Sequence, residues 1–481
     1  MPLIAKIAIA CPLRQSFDYL IPDSCLPLSK GDRVKVPFRT REVIGFVIAI
    51  EEKEEKNNLK EVSSRFEEKP VISARLLALI HWVSDYYHHP IGDCFQVAVP
   101  KKSQSVKTTV SNAEIIPLKI LNPEQQQAVD AIDQAKNNFN VSLIQGITGS
   151  GKTEVYIQLT ALMLQSHKQV LILIPEIGLT DQFVARFKQH LAANIVVINS
   201  AMNETDRHQA WLLAHLGHAE VVIGTRSAVF TPLERLGLII IDEEHDSSYK
   251  QQDSLRYHAR NVALMRSKQS NIPIVLGSAT PSLESFYHAQ FHRYRLLTLT
   301  QRATGASLPK ISLIDSRGPK AVNGLSTTLY KAIKTELSRD NQVLLFINKR
   351  GYAPILMCHD CQWQATCPHC DAKLIVHQER YQLRCHHCGF NQALKQQCPE
   401  CQSVELGYYG LGTEQIEQSL QTLFPTISVL RIDRDSTQKV GSFAKLTDEI
   451  QQGGAKLLVG TQMLAKGHDF HDVTLVGVLD A

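Results

Sequence analysis

From about Asn140 onward the chain repeats a single unit: a short apolar strand, a polar loop at its carboxyl end, then a helical pattern. The first series of strands is Val141–Ile144, Val170–Ile174, Ile195–Ile198, Val221–Ile223, Leu238–Ile241 and Pro273–Leu276. Strands that alternate with helices and read as unbroken apolar runs build parallel sheets covered on both faces. A second series, Val343–Ile347, Ile427–Ile432, Leu457–Val459 and Val473–Leu479, predicts a second lobe of the same kind. Ligands of such sheets bind outside the carboxyl ends of the strands, and the polar loops of this chain lie there. Residues 1 to about 100 break the pattern with short β-rich segments, a charged loop at 51–60 and one helix over Ala74–Tyr87, which predicts a small separate module. Residues 101–120 are polar and too few to form a core, and read as a linker.

Within the second series sit eight cysteines in four Cys-x-x-Cys pairs: Cys358/Cys361, Cys367/Cys370, Cys385/Cys388 and Cys398/Cys401. The two-residue spacing lets both thiolates of a pair reach one ion at about 2.3 Å, so four pairs supply two tetrahedral four-cysteine zinc sites. Iron–sulfur ligation is the chemical competitor. His359, His369, His386 and His387 could replace thiolates, but the cysteine count already gives four per ion. A redox role for one isolated Cys-x-x-Cys does not account for four in tandem. Cys11, Cys25 and Cys94 read as ordinary buried thiols. Clustered thiols of this kind belong to a reducing compartment. The first ten residues are too short and wrongly flanked for a signal peptide, and no run approaches 18 apolar residues, which predicts a cytosolic protein without a membrane partner. A net charge of +4 permits nucleic acid without requiring it, so a DNA assignment must come from motifs.

Gly146-Ile-Thr148-Gly149-Ser150-Gly151-Lys152-Thr153 follows a strand and opens a helix, the setting of a phosphate-binding P-loop. Its glycines bring backbone N–H groups to the phosphates, Lys152 neutralises β and γ charges, and the Thr153 hydroxyl ligates Mg2+. After Leu238–Ile241 stands Asp242-Glu243-Glu244-His245; the first carboxylate can hold Mg2+ and the second can polarise the attacking water. A run of carboxylates is usually a solvated turn, but here it follows a buried strand in a chain with a P-loop. Gln125, ahead of the first strand, could meet an adenine edge. Strand-end loops at Pro175–Thr180, Gly224–Phe230, Gly277–Pro281 and Gly460–His468 offer backbone and hydroxyl groups to phosphates.

The order P-loop, Asp-Glu-Glu-His, Ser-Ala-Thr and then Gly-Thr-Gln in a second lobe resembles superfamily 2 helicases over about residues 121–480. In these, ATP lies between two RecA-like lobes. Thr153-Glu154-Val-Tyr156, the run from Asp242 to Gln251, Gly277–Ser285 and the eight-cysteine insertion narrow the resemblance to the bacterial replication-restart helicases, the primosomal protein N′ family. Ser16–Leu20 and Tyr86–Asp93 resemble that family's domain for the 3′ end of a nascent strand. The resemblance implies an α/β fold with two tandem RecA-like lobes and a Cys-rich double-zinc insertion, preceded by a β-rich DNA-binding domain. The expected divisions are 1–100, the linker 101–120, lobe 1 at 121–305 and lobe 2 at 306–481, with the insertion at 354–406. The implied cofactors are ATP, Mg2+ and two Zn2+. Lys152, Thr153, Asp242 and Glu243 would carry hydrolysis; Ser278, Thr280, Thr461, Gln462 and Lys466 would couple it to motion. Cys358, Cys361, Cys398 and Cys401 would hold one zinc, and Cys367, Cys370, Cys385 and Cys388 the other. Phe17, Asp18 and Tyr19 would line the 3′-end pocket by stacking and hydrogen bonding, although two aromatics on a core strand are the plainer alternative. Tyr249, Lys250, Arg256 and Tyr257 fall in an aromatic-rich DNA-contact loop, where Leu255 stands at an expected tryptophan; Arg260 adds a further cation.

The implied activity is ATP-driven 3′–5′ unwinding at stalled or branched forks that restarts replication by loading the primosome. The implied partners are branched DNA, nascent 3′ ends, single strands, primosome proteins and single-stranded DNA-binding protein, in a bacterial cytoplasm near the nucleoid. Two departures stand against the family pattern. The linker is too short for the family's winged helix, and the sequence stops before an arginine-bearing motif worth on the order of 10³-fold in rate. A fork-binding scaffold that clamps with nucleotide but hydrolyses little is therefore the alternative expectation. A P-loop enzyme for a small molecule is poorly served by two lobes and cysteine ribbons.

Overall fold

The computed structural model describes residues 2–52, 58–66, 72–100, 116–175, 180–199, 202–303, 305, 309–315, 325–347, 355–370, 372–377, 381–385, 388–409, 413–432, 442–460, 470 and 472–479. These form two compact units, Met1–Leu308 and Pro309–Ala481.

The first unit opens with β1 (Leu3–Ile9), β2 (Phe17–Leu20), β3 (Arg33–Phe38), β4 (Arg41–Glu52) and β5 (Ser64–Arg65), an antiparallel sheet ordered β2-β1-β4-β3-β5. Helices α1 (Ala74–Tyr86) and α2 (Ile91–Ala98) follow. Sequence pattern anticipated α1 but not α2, an eight-residue helix with Gly92 inside it. The module packs directly against the neighbouring lobe, within one compact unit. Phe46 stacks on Phe95 at 4.6 Å, and both belong to one buried cluster with Trp211, Phe230, Tyr257 and Leu276 of the neighbouring lobe. The Trp211 Nε1–H donates to the Ala98 carbonyl at 3.2 Å, and the His258 N–H to the Tyr87 hydroxyl at 3.1 Å. Module and lobe share a core and form one body.

The lobe contains α3 (Pro123–Asp133), β6 (Asn140–Gly146), α4 (Lys152–Gln165), β7 (Gln169–Leu173), α5 (Thr180–His190), β8 (Ile195–Ile198), α6 (Glu204–His215), β9 (Val221–Gly224), β10 (Leu236–Ile241), α7 (Ala259–Ser270), β11 (Pro273–Ser278), α8 (Leu283–Gln290) and β12 (Arg295–Leu299). Its sheet is seven-stranded and parallel, in the order β12-β6-β11-β10-β7-β9-β8. Strand β12 was not anticipated; Arg295, Leu296 and Thr298 are exposed, as suits an edge. In β6, β7 and β10 nearly every residue is buried, which explains their unbroken apolar reading.

The second unit carries α9 (Thr327–Leu337), β13 (Gln342–Ile347), β14 (Ile355–Cys358), β15 (Ile375–His377), β16 (Gln382–Arg384), β17 (Asn391–Ala393), β18 (Leu406–Tyr409), α10 (Thr413–Leu423), β19 (Ser428–Ile432), α11 (Ser442–Gln451), β20 (Lys456–Gly460) and β21 (Val473–Leu479). Its parallel sheet runs β19-β20-β13-β21, and the cysteine-rich insertion between β13 and α10 forms its own antiparallel sheet, β17-β16-β15-β14-β18. Among the described residues no helix is long and apolar enough to cross a membrane.

Candidate nucleotide site and metal centres

The P-loop leaves the carboxyl end of β6, whose Gln145 lies level with Ser278 of β11. Gly151 caps α4 with φ +81°, a left-handed conformation that favours glycine. The Lys152 Nζ donates to the Gly146 carbonyl at 3.0 Å, folding the lysine back across the loop. Thr148 and Gly149 are exposed, whereas the Ser150 hydroxyl is buried without a hydrogen-bond partner among the described residues. A phosphate fits this arrangement: it would satisfy the orphaned hydroxyl and draw Lys152 from a carbonyl to a charge.

Gln125 is buried, and both ends of its amide are engaged. Its Oε1 accepts from the Asn122 N–H at 2.9 Å, closing a capping box on α3, and its Nε2 donates to the Ser150 carbonyl at 2.8 Å. The residue expected at an adenine edge thus braces the P-loop here.

Asp242 follows β10, next to β11. The Tyr156 hydroxyl donates to Asp242 Oδ1 at 3.0 Å. The residue keeps part of its surface open, yet burial of the carboxyl and the neighbouring Glu243 charge push it up to about 6, opposed by Lys152. A divalent cation would restore its charged form. The Tyr249 hydroxyl, itself buried, bonds the Asp242 carbonyl at 2.6 Å and the Leu173 carbonyl at 3.0 Å. Glu243 has φ +45° and lies 3.5 Å from His245 Nδ1. That nitrogen is 2.7 Å from the Ser278 hydroxyl, which accepts the Thr280 N–H at 2.9 Å. Four motif residues, Asp242, Glu243, Ser278 and Thr280, thus gather at one strand-end edge. Thr461, Gln462 and Lys466 lie outside the described residues.

Sequence reading gave no role to Glu244, which is fully buried. It accepts from the Ser282 N–H at 2.7 Å, the Ser285 hydroxyl at 2.8 Å and Arg260 Nη1 at 2.6 Å. Burial disfavours its charge, but the Ser282 amide and Arg260 overcome that and hold its carboxyl below the usual range. The serine spacing after Pro281, a helix N-cap at Ser282, was the available signal.

The aromatic expectations need correction. Tyr249 and Tyr257 are 0 % and 1 % exposed, and Leu255 is buried beside them, so these rings serve the core instead of stacking on bases. Lys250 and Arg256 are exposed; the Lys250 ammonium bonds the Arg256 carbonyl and lies 5.7 Å from the Tyr87 ring. In β2, Phe17 and Tyr19 face the core: Tyr19 is 4 % exposed and its hydroxyl donates to the Pro37 carbonyl at 3.2 Å, while Phe17 packs edge-on against Phe38. Strand alternation turns Asp18 to the other face, opposite Lys6 of β1.

In the insertion, β18 returns antiparallel to β14, with Cys358 level with Leu406. That pairing brings the first and last cysteine pairs together. The Cys358 and Cys401 sulfurs are 3.5 Å apart, as are those of Cys361 and Cys398. Cys367 to Cys388 is 3.5 Å and Cys370 to Cys385 3.4 Å. Within each set of four the sulfurs lie within 4.8 Å of one another. These separations are far beyond a disulfide and close to the edge of a tetrahedron around zinc, about 3.8 Å. Cys358, Cys385 and Cys398 each accept, at the backbone carbonyl, the N–H of the residue four places on, and those residues, Gln362, Gly389 and Gln402, all have positive φ. Cys25 and Cys94 are buried, and Cys11 is half-buried.

Three family models match this chain: a 3′DNA-binding domain of PriA at residues 6–100, a DEAD/DEAH box helicase at 122–288, and the PriA DNA helicase Cys-rich region at 367–392. The replication restart protein PriA of Haemophilus influenzae is 39% identical over 559 aligned positions, covering 99% of this chain and 76% of that one. The chain belongs to the PriA family. PriA of Rickettsia felis is also 39% identical, over 486 positions covering 99% of this chain and 74% of its own. The first alignment is longer than the 481-residue chain, so the Haemophilus relative carries inserted residues that this chain lacks, whereas the Rickettsia relative aligns almost without them. PriA of Bacillus subtilis is 41% identical over 75% of this chain and 46% of its own length. The family and the helicase domain make the chain an ATP-dependent DNA helicase with zinc-binding cysteine clusters.

Proposed function

We propose that the chain unwinds DNA in the 3′–5′ direction at stalled or branched replication forks and restarts replication by loading the primosome. The observation that carries this reading is the shared core between the β-rich module and the P-loop lobe. A module matched as a 3′DNA-binding domain is thereby held on the body that binds nucleotide. On this reading residues 1–100 take the nascent 3′ end, 101–120 link, 121–305 and 306–481 are the two motor lobes, and 354–406 is the zinc insertion. Lys152, Ser150 and the loop amides receive the phosphates; Thr153 and Asp242 hold Mg2+, which neutralises phosphate charge when bound. Glu243 orients the attacking water, and Ser278 and Thr280 relay through His245. Thr461, Gln462 and Lys466 take the coupling role from the second lobe. Each four-cysteine set holds one Zn2+ in the nested pairing. Asp18, on the outer face of β2, and the exposed Lys250 and Arg256 contact DNA. The protein works in the bacterial cytoplasm, with primosome proteins and single-stranded DNA-binding protein as partners.

Steady-state ATP turnover and strand separation on forks with a free 3′ end test the reading, with Lys152→Ala as control. DNA-stimulated turnover with 3′–5′ unwinding, lost by at least about 10²-fold in the control, is expected. Fork binding that tightens with nucleotide but gives neither turnover nor unwinding would instead establish the clamp.

A further inference from the structure

Tyr156 is wholly buried on α4, one turn beyond the P-loop lysine. The residue joins three elements at once. Its own backbone belongs to the phosphate-binding helix, where the Thr160 hydroxyl bonds its carbonyl at 2.7 Å. It donates to Asp242 Oδ1 at the end of β10. It also presses on Gly277, where an added Cβ would fall 1.7 Å from the phenol oxygen and 2.9 Å from the ring carbon bearing it. Only a residue without a side chain leaves room for the phenol there. Gly277 precedes Ser278, whose hydroxyl lies beside His245 and the Thr280 amide.

The phenol proton is thus aimed at the Asp242 carboxylate from a slot that Gly277 leaves open. From the geometry we infer that Tyr156 is a positioning residue for the nucleotide site: it fixes the rotamer of Asp242, and thereby which edge of the carboxylate is presented for a divalent cation. The Asp242 backbone is pinned on both sides, its N–H to the Leu173 carbonyl at 2.9 Å and its carbonyl to the Tyr249 hydroxyl. Its carboxylate accepts from the Tyr156 hydroxyl, the one side-chain donor to it among the described residues, and from the Glu243 backbone. Groups that orient a metal-binding carboxylate without touching the metal are typically worth 10- to 100-fold in metal affinity. The inference rests on the reading of Asp242 as a Mg2+ ligand.

The test is the Mg2+ dependence of binding of a fluorescent ADP analogue to the full chain, with and without Tyr156→Phe. We expect the Mg2+ midpoint to rise roughly tenfold, with affinity for the analogue in EDTA and the thermal unfolding midpoint little changed. Gly277→Ala, which displaces the phenol, should raise the midpoint likewise, and the double variant should add little to either change alone. An unshifted midpoint in Tyr156→Phe overturns the role, as does a loss of affinity equal in EDTA and in Mg2+. Nucleotide binding by the unsubstituted chain that ignores Mg2+ would overturn the underlying reading of Asp242 and the inference with it.

Discussion

The P-loop lobe and the cysteine-rich insertion both present short loops at strand ends, but they hold them by different means. In the lobe, one of the two buried clusters lining the sheet contains Ile144, Tyr156, Ile172, Ile240 and Val275, and the loops hang from a scaffold that exists without ligand. In the insertion the buried cluster is Leu356, Ala365, Cys367, Leu374, Val376, Leu383 and Cys385, so two of its seven members are themselves sulfur donors. A core of that size does not support folding alone. The lobe is built to accept its ligand, whereas the insertion is built by its ligand.

The largest expected difference follows from metal removal. Structural zinc contributes about 10–16 kcal/mol per site in small metallo-domains. A strong chelator should therefore expose all eight insertion cysteines to thiol reagents while nucleotide binding by the lobe persists. Slow reaction of those cysteines after chelation, or loss of nucleotide binding with the metal, would erase the distinction. A smaller effect is expected at Glu244, where the lobe comes nearest to depending on charge. Glu244→Ala strands the partly buried Arg260 and should cost about 3–5 kcal/mol in urea denaturation. Because the folded carboxyl titrates below its unfolded value, its stabilisation is complete above the ordinary carboxylate range and fades as pH falls through the folded value. The gap between the natural chain and Glu244→Gln should close in acid. The smallest effect is expected at Gln362, whose φ of +63° repeats the left-handed turn that Gly389 makes freely. Gln362→Gly should gain at most about 1 kcal/mol, read as slower zinc loss to a competing chelator.

The parallel sheets were legible because burial on both faces writes long apolar runs, as in Leu238–Ile241. Edge strand β12 was not, since Arg295-Leu-Leu-Thr-Leu299 is half exposed and carries no such run. The P-loop and the acidic turn could be read from residue order, because backbone geometry there demands particular residues. The aromatic residues misled: a tyrosine reads the same whether its ring meets a base or a core, and the burial of Tyr19, Tyr249 and Tyr257 is set by strands and helices distant in sequence. The nested cysteine pairing was likewise closed to spacing arguments, because it depends on β18 returning beside β14. The Glu244 knot joins positions up to 41 residues apart and shows only in three dimensions.

The shared core of the β-rich module and the first lobe has a mechanical meaning. Phe46, Phe95 and Trp211 lock a reading head to an engine block. A strand end gripped by that head would sit at a set distance from the P-loop through every cycle of nucleotide exchange, so the module would work as a ruler, measuring where along a fork the motor begins its stroke.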